Sequence, residues 1–245
     1  MADNDDFQKL VAQVIDEHRG ERVVAFEYLG KRYWLKQVEK LSGTMRLLKQ
    51  NSTDALHKEI KVLTQLAKQG APVPALVGAG KDYMVVEDAG ATIKDLLLHC
   101  PEAHWPQILK DAAIALATLH TMQLAHGRPA LRDISWCQGE VKFIDLEAHQ
   151  QGKSIVSQQV RDLLVFIHSL YRYIGPRNTL ITQAINAYRA AGGEFVWQKA
   201  KQFLVSWQWL FYFARPFKDM GGRDIKPVYW VLWHFRYADN NAVIA

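Results

Sequence analysis

Two aspartates in the middle of the sequence are the residues best suited to do chemistry. Asp133 follows a polar loop, and Asp145 ends an apolar run twelve positions later. A tight turn between them would bring the carboxylates close together, and hard oxygen ligands beside bound phosphates are what Mg²⁺ prefers. The same residues also fit a plainer structure, in which Asp133 pairs with Arg128 or Arg132 and Asp145 only caps a turn.

A lysine and a glutamate nearer the N-terminus form a second candidate pair. Lys36 lies within a β-rich run, and an ammonium group held on a rigid strand is a good partner for phosphate oxygens. Glu59 lies between Leu56 and Leu63 on the apolar face of a predicted helix. Since an unpaired buried carboxylate is very costly, Lys36 is its expected partner. The alternatives are a solvent-facing lysine and a glutamate at the edge of the stripe that reaches water.

The elements that must position these residues come in two sets. The first part of the chain has an amphipathic helix pattern followed by β-rich runs, with one more helix between them. The predicted elements of this part are Asp6–His18 (helix), Arg22–Tyr28 and Arg32–Val38 (strands), a helix capped at Asn51–Asp54, and Leu76–Gly80 and Asp82–Glu87 (strands). The predicted elements that follow are Thr92–His99 and Trp105–Leu124 (helices), a hairpin at Gln138–Gly139, the strand Val141–Asp145 and helices after Ser157 with breaks at Gly175, Gly192 and Gly221.

This order predicts an α+β fold of two lobes. We place a small β-rich lobe with an N-terminal helix at residues 1–88 and a larger helical lobe at residues 89–245. The lone cysteines Cys100 and Cys137 have no disulfide or metal-ligand spacing, and the N-terminus lacks a secretory signal pattern. We therefore expect a cytoplasmic protein.

The C-terminal segment is both basic and aromatic. From Tyr171 onward there are ten Lys or Arg residues against four Asp or Glu, and five of the eight tryptophans. Such a segment could meet anionic lipid, a phosphorylated sugar or nucleic acid. In the simpler interpretation, the aromatic residues form core and the cations form a solvated face. We predict core positions for four of these tryptophans, Trp207, Trp209, Trp230 and Trp233.

The chain resembles the protein-kinase-like superfamily in the order of its features. These are a strand lysine, a helix glutamate, an acidic hinge, a long helix, a His-Gly loop and an Ile-Asp-x-Glu motif. The motifs run from His126 to Ile134 and from Val141 to Glu147. The sequence is most similar to the compact bacterial branch of lipopolysaccharide-core and Kdo kinases, RIO-type kinases and aminoglycoside phosphotransferases. The resemblance spans about Arg22 to Leu170 and implies a two-lobed kinase-like fold that binds ATP and Mg²⁺.

The resemblance also assigns roles to individual residues. Lys36 matches the phosphate-binding lysine, Glu59 its helix partner, and Glu87, Asp88 and Ala89 the hinge whose backbone meets adenine. His126 matches the loop histidine, Asp133 stands at the metal-binding Asn position, Asp145 matches the metal-binding Asp, and Asp162 matches a helix aspartate that supports the loop.

Position 128 departs from the family pattern, because Arg128 stands where the catalytic aspartate belongs, and an arginine cannot accept a proton. A second register makes Asp133 the base and places Gln138 at the Asn position. It leaves only twelve residues between the base and Asp145, which is too short, so we prefer the first register. Asp133 could serve as ligand and base at once, or Arg128 could stabilise the transferred phosphate or an anionic acceptor. The third possibility is that the domain binds nucleotide without transferring phosphate. No glycine-rich loop is present.

The function that the resemblance implies is an ATP-dependent kinase acting on a hydroxyl of a non-protein acceptor, such as an envelope or lipopolysaccharide sugar. Catalysis would then use His126, Arg128 and Asp133. The basic aromatic segment would allow peripheral contact with the inner membrane. The alternative is a nucleotide-binding pseudokinase that regulates a partner. An RNA partner is the weakest candidate, because no recognisable RNA-binding motif is present.

Overall fold

The computed structural model describes residues 2–38, 46–146, 154–216, 222 and 225–237, and of residues 2–4 and 46–52 only the backbone. The described chain forms two compact units, Met1–Ala89 and Gly90–Ala245. The first contains an antiparallel sheet and the second is mainly helical, which confirms the α+β prediction. No helix in the described ranges is long and apolar enough to cross a membrane.

The first unit is a four-stranded sheet with two helices packed against it. Helices α1 (Ala2–Glu17) and α2 (Arg46–Lys68) accompany strands β1 (Val23–Tyr28), β2 (Lys31–Gln37), β3 (Leu76–Ala79) and β4 (Tyr83–Glu87). The strand order is β1-β2-β4-β3, and all pairs are antiparallel. Residue Leu35 of β2 lies in a cluster with Phe7 and Val11 of α1. Because successive side chains of a strand alternate, Lys36 belongs to the opposite face.

Helix α2 covers part of that opposite face. Leu56 of α2 packs with Met84 of β4 and Val38, and Met84 is directly opposite Lys36 in the strand register. The helix begins at Arg46, so the predicted cap at Asn51–Asp54 is wrong. The residues before that polar cluster include good helix formers, and the helix continues through it.

The second unit begins with helix α3 and is then built around helix α4. Its elements are α3 (Ile93–His99), α4 (Trp105–Thr121), the hairpin strands β5 (Ile134–Cys137) and β6 (Glu140–Phe143), then α5 (Ile155–Ile174), α6 (Asn178–Tyr188), α7 (Glu194–Val205), α8 (Leu210–Ala214) and α9 (Lys226–Tyr237). Strands β5 and β6 pair antiparallel around the predicted turn at Gln138–Gly139.

The predicted helix break at Gly192 is present in the second unit, whereas one prediction about its core needs correction. The short segment Arg189–Gly193 between α6 and α7 is kinked at Gly192, where the backbone is not helical. Gly192 adopts φ 106°, which favours glycine. Trp207 and Trp209 are not core residues, since they are 43% and 53% exposed. The predicted break at Gly221 lies outside the described residues.

Candidate functional site

In the first unit, the predicted ion pair between Lys36 and Glu59 is present. The Lys36 Nζ donates a hydrogen bond to Glu59 Oε1 at 2.5 Å, and both side chains are about one quarter exposed or less. Strand β2 supplies the lysine and helix α2 supplies the glutamate. The pair leaves the ammonium with further donors for an anion. Contact between Lys36 and phosphate remains a prediction.

The predicted hinge residues lie at the end of β4. The N–H of Glu87 donates to the Ala75 carbonyl and the N–H of Asp88 donates to the Arg32 carbonyl, both at 3.0 Å. Of the three predicted hinge residues, Ala89 is therefore the one whose backbone N–H group is left for a ligand. Adenine recognition here remains a prediction, and it would have to use that donor and the carbonyl oxygens.

A contact that the sequence did not indicate fixes the Asp88 side chain. Its carboxylate accepts a hydrogen bond from the indole N–H of Trp34 at 2.6 Å. The two residues are 54 positions apart, and an alternating strand pattern gives no information about a partner at that distance.

In the second unit, the loop after α4 is anchored to helix α5 through Asp162. This carboxylate is fully buried, and it accepts the backbone N–H groups of His126 at 2.6 Å and Gly127 at 2.9 Å. The loop-supporting role expected for Asp162 is therefore confirmed. Gly127 adopts φ 104°, a conformation that side chains oppose. The His-Gly pair thus allows two successive N–H groups to meet one carboxylate.

Two further residues of α5 hold the neighbouring chain, and sequence reasoning missed both. Gln159 donates to the carbonyls of His120 and Leu124, at 2.8 and 3.0 Å, and Ser169 accepts the N–H of Leu131 at 2.9 Å. Residues 159, 162 and 169 share one helical face, and all three are at most 2% exposed. The available signal was this set of polar residues on the buried side of an apolar helix.

His126 is a buried, neutral ring that shapes the loop. Its Nδ1 accepts the N–H of Arg128 at 3.2 Å, so its Nε2 carries the proton and donates to the Ile144 carbonyl at 3.1 Å. Burial lowers the pKa of His126, although the charge of Asp162 opposes this. The ring therefore links the loop to the segment that carries Asp145, and we assign it a positioning role.

The predicted carboxylates converge on Arg128. The guanidinium lies 3.9 Å from Asp133 Oδ2 through Nε and 3.7 Å from Asp145 Oδ2 through a terminal nitrogen. Arg132 also lies 3.4 Å from the other Asp133 oxygen. The arginine pairings considered as the plainer alternative are thus present, and they exist together with the convergence of the two aspartates.

Asp133 and Asp145 differ in their surroundings. Asp133 is 5% exposed, and burial raises the pKa of its carboxyl, partly offset by the charge of Arg132. Its Oδ2 is buried and has no hydrogen bond within the described chain. Asp145 has an exposed side chain and adopts φ 56°, in the left-handed region that Asn and Asp tolerate best.

The donor set fits one divalent cation in its chemistry. Mg²⁺ is usually held by one or two carboxylates together with substrate phosphates, and the unsatisfied Oδ2 of Asp133 is a suitable ligand atom. Groups of three or more His, Cys, Asp or Glu side chains that could hold a metal do not occur among the described residues. Glu147, which completes the Ile-Asp-x-Glu motif, lies outside them.

Comparison with known proteins identifies the family. The model of the phosphotransferase enzyme family matches residues 8–201. The chain belongs to this family, and with it to the protein-kinase-like superfamily. The named bacterial branches are not distinguished by this match.

Two individual proteins are similar to the chain. A Haemophilus influenzae protein described as uncharacterized is 37% identical over 228 residues, which cover 92% of this chain and 94% of the relative. The solved structure of the Neurospora crassa PAN3 pseudokinase is 12% identical, covers 90% of this chain and 76% of its own, and gives a TM-score of 0.37.

Proposed function

We propose that the chain is an ATP-dependent phosphotransferase that acts on a hydroxyl of a non-protein acceptor. The family membership supports a phosphotransferase. The convergence of Asp133 and Asp145 at a loop fixed by Asp162 supports the use of ATP with Mg²⁺. Mg²⁺ would be held by Asp133 and Asp145, where it would neutralise charge on ATP phosphates.

The residues of the loop have separate tasks in this proposal. The acceptor oxygen forms a bond to the γ-phosphorus of ATP, the bond from that phosphorus to the ADP oxygen breaks, and the hydroxyl proton passes to the Asp133 carboxylate. Asp133 has two carboxylate oxygens, so one can contact the cation while the other accepts the proton. Arg128 stabilises the negative charge of the transferred group, and His126 holds the loop in shape.

The acceptor is proposed from the C-terminal segment. The excess of Lys and Arg after Tyr171, together with its aromatic residues, suits an anionic, lipid-linked sugar of the cell envelope. With such an acceptor, the enzyme would act peripherally at the inner leaflet. This proposal is separate from the reaction class.

One observation favours a second candidate, a nucleotide-binding regulator that does not transfer phosphate. Arg128 already lies within ion-pair distance of both proposed metal ligands, so its guanidinium competes with a cation for them. The two candidates make different predictions for turnover, although both predict that ATP binds.

Replacement of Asp145 by Asn tests the proposal. Asn tolerates the φ of 56°, so the change removes the charge without adding the strain that alanine would bring. We expect Mg²⁺-dependent release of ADP to fall at least a hundredfold, while Asp16→Asn, at an exposed ion pair, has no effect. Wild-type protein that binds ATP but releases no ADP with any hydroxyl acceptor would favour the regulator. Unchanged turnover in Asp145→Asn would remove the metal role.

A further inference from the structure

One buried histidine of the second unit has no part in the proposed reaction. His120 lies in the last turn of α4, and its side chain is 1% exposed. Its ring lies between two other buried groups, the hydroxyl of Tyr188 at the end of α6 and the carboxylate of Asp162 on α5. Since Asp162 anchors the loop, the histidine lies directly behind the candidate site.

The three side chains form a row that ends at the loop. The Tyr188 hydroxyl lies 2.7 Å from His120 Nδ1, and His120 Nε2 lies 3.5 Å from Asp162 Oδ2. The same Oδ2 accepts the N–H of His126, and Oδ1 accepts the N–H of Gly127. One buried carboxylate therefore faces the histidine and the loop main chain at the same time.

The contact with Tyr188 determines which ring nitrogen of His120 carries the proton. Burial raises the pKa of Tyr188, and the charge of Asp162 raises it further, so the hydroxyl keeps its proton. This proton is donated to Nδ1, because the buried hydroxyl has no other acceptor among the described residues. A neutral ring that accepts at Nδ1 carries its own proton on Nε2, the atom that faces the carboxylate.

The Nε2 atom of His120 needs an acceptor. It is buried and makes no hydrogen bond of good geometry within the described chain. A buried N–H group without a partner is costly, and the acceptor that it faces is Asp162 Oδ2. A small movement of the ring completes a charge-assisted hydrogen bond, and the carboxylate then has three N–H donors.

The segment after α6 holds Tyr188 in this position. The tyrosine ring packs so closely on Gly193 that a Cβ there would come within 2.2 Å of a ring carbon. A Cβ on Gly192 would come within 2.6 Å of the side chain of Thr121, the neighbour of His120. The kinked segment between α6 and α7 can therefore close onto α4 and the tyrosine only because both positions are glycine.

We propose that Tyr188 and His120 are positioning residues that act on the loop through Asp162. The Tyr188 O–H orients the imidazole ring, the His120 Nε2–H holds the carboxylate, and the carboxylate holds the two loop N–H groups. Both side chains are buried and do not contact substrate. The expected effect on turnover rests on the proposed function, whereas the effect on the loop does not depend on activity.

A second tyrosine–histidine pair in the same unit provides a matched control. The Tyr171 hydroxyl lies 3.0 Å from Nδ1 of His234, and both residues are buried. Burial alone lowers the pKa of His234, so no carboxylate of the described residues acts on this ring. Loss of the Tyr171 hydroxyl should therefore cost stability without changing the loop.

Hydrogen exchange, measured by NMR on the full chain, reports on the loop directly. In Tyr188→Phe, we expect the Gly127 amide to exchange about tenfold faster relative to the Leu131 amide. Leu131 is the reference because its N–H is bonded to Ser169. Tyr171→Phe should change both amides equally. Equal changes of both amides in Tyr188→Phe would overturn the proposal.

The ring nitrogens give a second test that needs no variant. Nitrogen NMR shifts of the wild-type chain should show the His120 proton on Nε2. A proton on Nδ1, with or without one on Nε2, would overturn the proposal. This result decides the matter even if Tyr188→Phe does not fold.

Turnover distinguishes this proposal from the proposed reaction. His120→Gln keeps a donor near Asp162, whereas His120→Met does not. We expect kcat for ADP release to be about tenfold lower in His120→Met than in His120→Gln, with KM for ATP the same in both. Equal kcat values would refute the donor role and leave the reaction in place. A wild type that releases no ADP would instead refute the proposed function, and hydrogen exchange would still decide the role of His120.

Discussion

The guanidinium of Arg128 lies 3.7 Å from the carboxylate of Asp145, and the same side chain lies 3.9 Å from Asp133. A single cation thus faces both carboxylates that the family resemblance assigns to a metal. This arrangement changes how the missing catalytic aspartate is understood, because the arginine is part of the site and not merely a surface replacement.

Removal of Arg128 should affect metal binding and turnover in opposite directions. In Arg128→Ala, we expect the affinity for Mg²⁺ in the presence of ATP to rise roughly fivefold, about 1 kcal/mol, because a partly exposed competing cation is lost. Turnover should fall about a hundredfold, since the transferred group loses a stabilising charge. Calorimetry and ADP release measure the two effects.

The neighbouring arginine provides the control for this prediction. Arg132 also contacts Asp133 but is 50% exposed, and it is not paired with Asp145 in the described contacts. Arg132→Ala should therefore change metal affinity less than Arg128→Ala. An unchanged metal affinity in Arg128→Ala would show that the guanidinium does not compete with the cation.

Asp162 should be one of the most sensitive positions in the second unit. In Asp162→Asn, an amide group replaces one of the two oxygens that accept backbone N–H groups, and a buried donor is left unsatisfied. We expect the free energy of unfolding to fall by at least about 2 kcal/mol, measured by urea denaturation. The same change at Asp6, in an exposed ion pair, should cost less than about 0.5 kcal/mol. Similar losses at both positions would contradict the anchoring role.

The Lys36–Glu59 pair can be separated into stability and binding contributions. A double-mutant cycle with Lys36→Met and Glu59→Gln should give a coupling of roughly 1 kcal/mol, because both side chains retain some exposure. Lys36→Met should also weaken ATP binding at least tenfold. Lys31→Met, on the same strand but 69% exposed, should leave ATP affinity unchanged. If the two lysine variants bind ATP equally well, Lys36 has no phosphate role.

His234 should make stability depend on pH. Burial lowers the pKa of this residue from 6.5 to about 4 in the folded chain. The unfolded chain therefore takes up more protons between these values, so the stabilisation is complete above about pH 6.5 and is lost as the pH falls towards 4. The full effect is about 3 kcal/mol at most.

His234→Asn tests this dependence, because it keeps a group near the Tyr171 hydroxyl, which lies 3.0 Å from the histidine Nδ1, but cannot titrate. Urea denaturation at several pH values should show wild type losing stability relative to the variant as the pH falls from 7 to 4. His99→Asn, at an exposed histidine, is the control for the effect of replacing any histidine by asparagine. A constant difference between wild type and His234→Asn would refute the prediction.

The sequence predicted some parts of this structure because their signals are local and periodic. The Lys36–Glu59 pair followed from a strand period of two and a helix period near 3.6, which together assign faces. The start of α2 was wrong because a polar cluster such as Asn51–Asp54 caps a helix only if the preceding residues are not helical. No local pattern could show which aromatic side chains are covered, so Trp207 and Trp209 were wrongly predicted to be core.

The parts of the structure that the sequence did not predict depend on contacts between residues that are distant in the sequence. The approach of Arg128 to both aspartates depends on how the loop and the β5–β6 hairpin are placed, which no spacing rule gives. Gln159 and Ser169 lie on the buried side of α5, but their backbone partners, which are at least 35 positions away, could not be read from the helix pattern.

The three polar residues on the buried side of α5 have a consequence for which substitutions the loop can tolerate. The path of the loop main chain is imposed from outside by Gln159, Asp162 and Ser169, at both ends and at its centre. The side chain at position 128 does not have to hold that path. We therefore expect a substitution at position 128 to alter the chemistry of the site and to leave the backbone path of the loop unchanged.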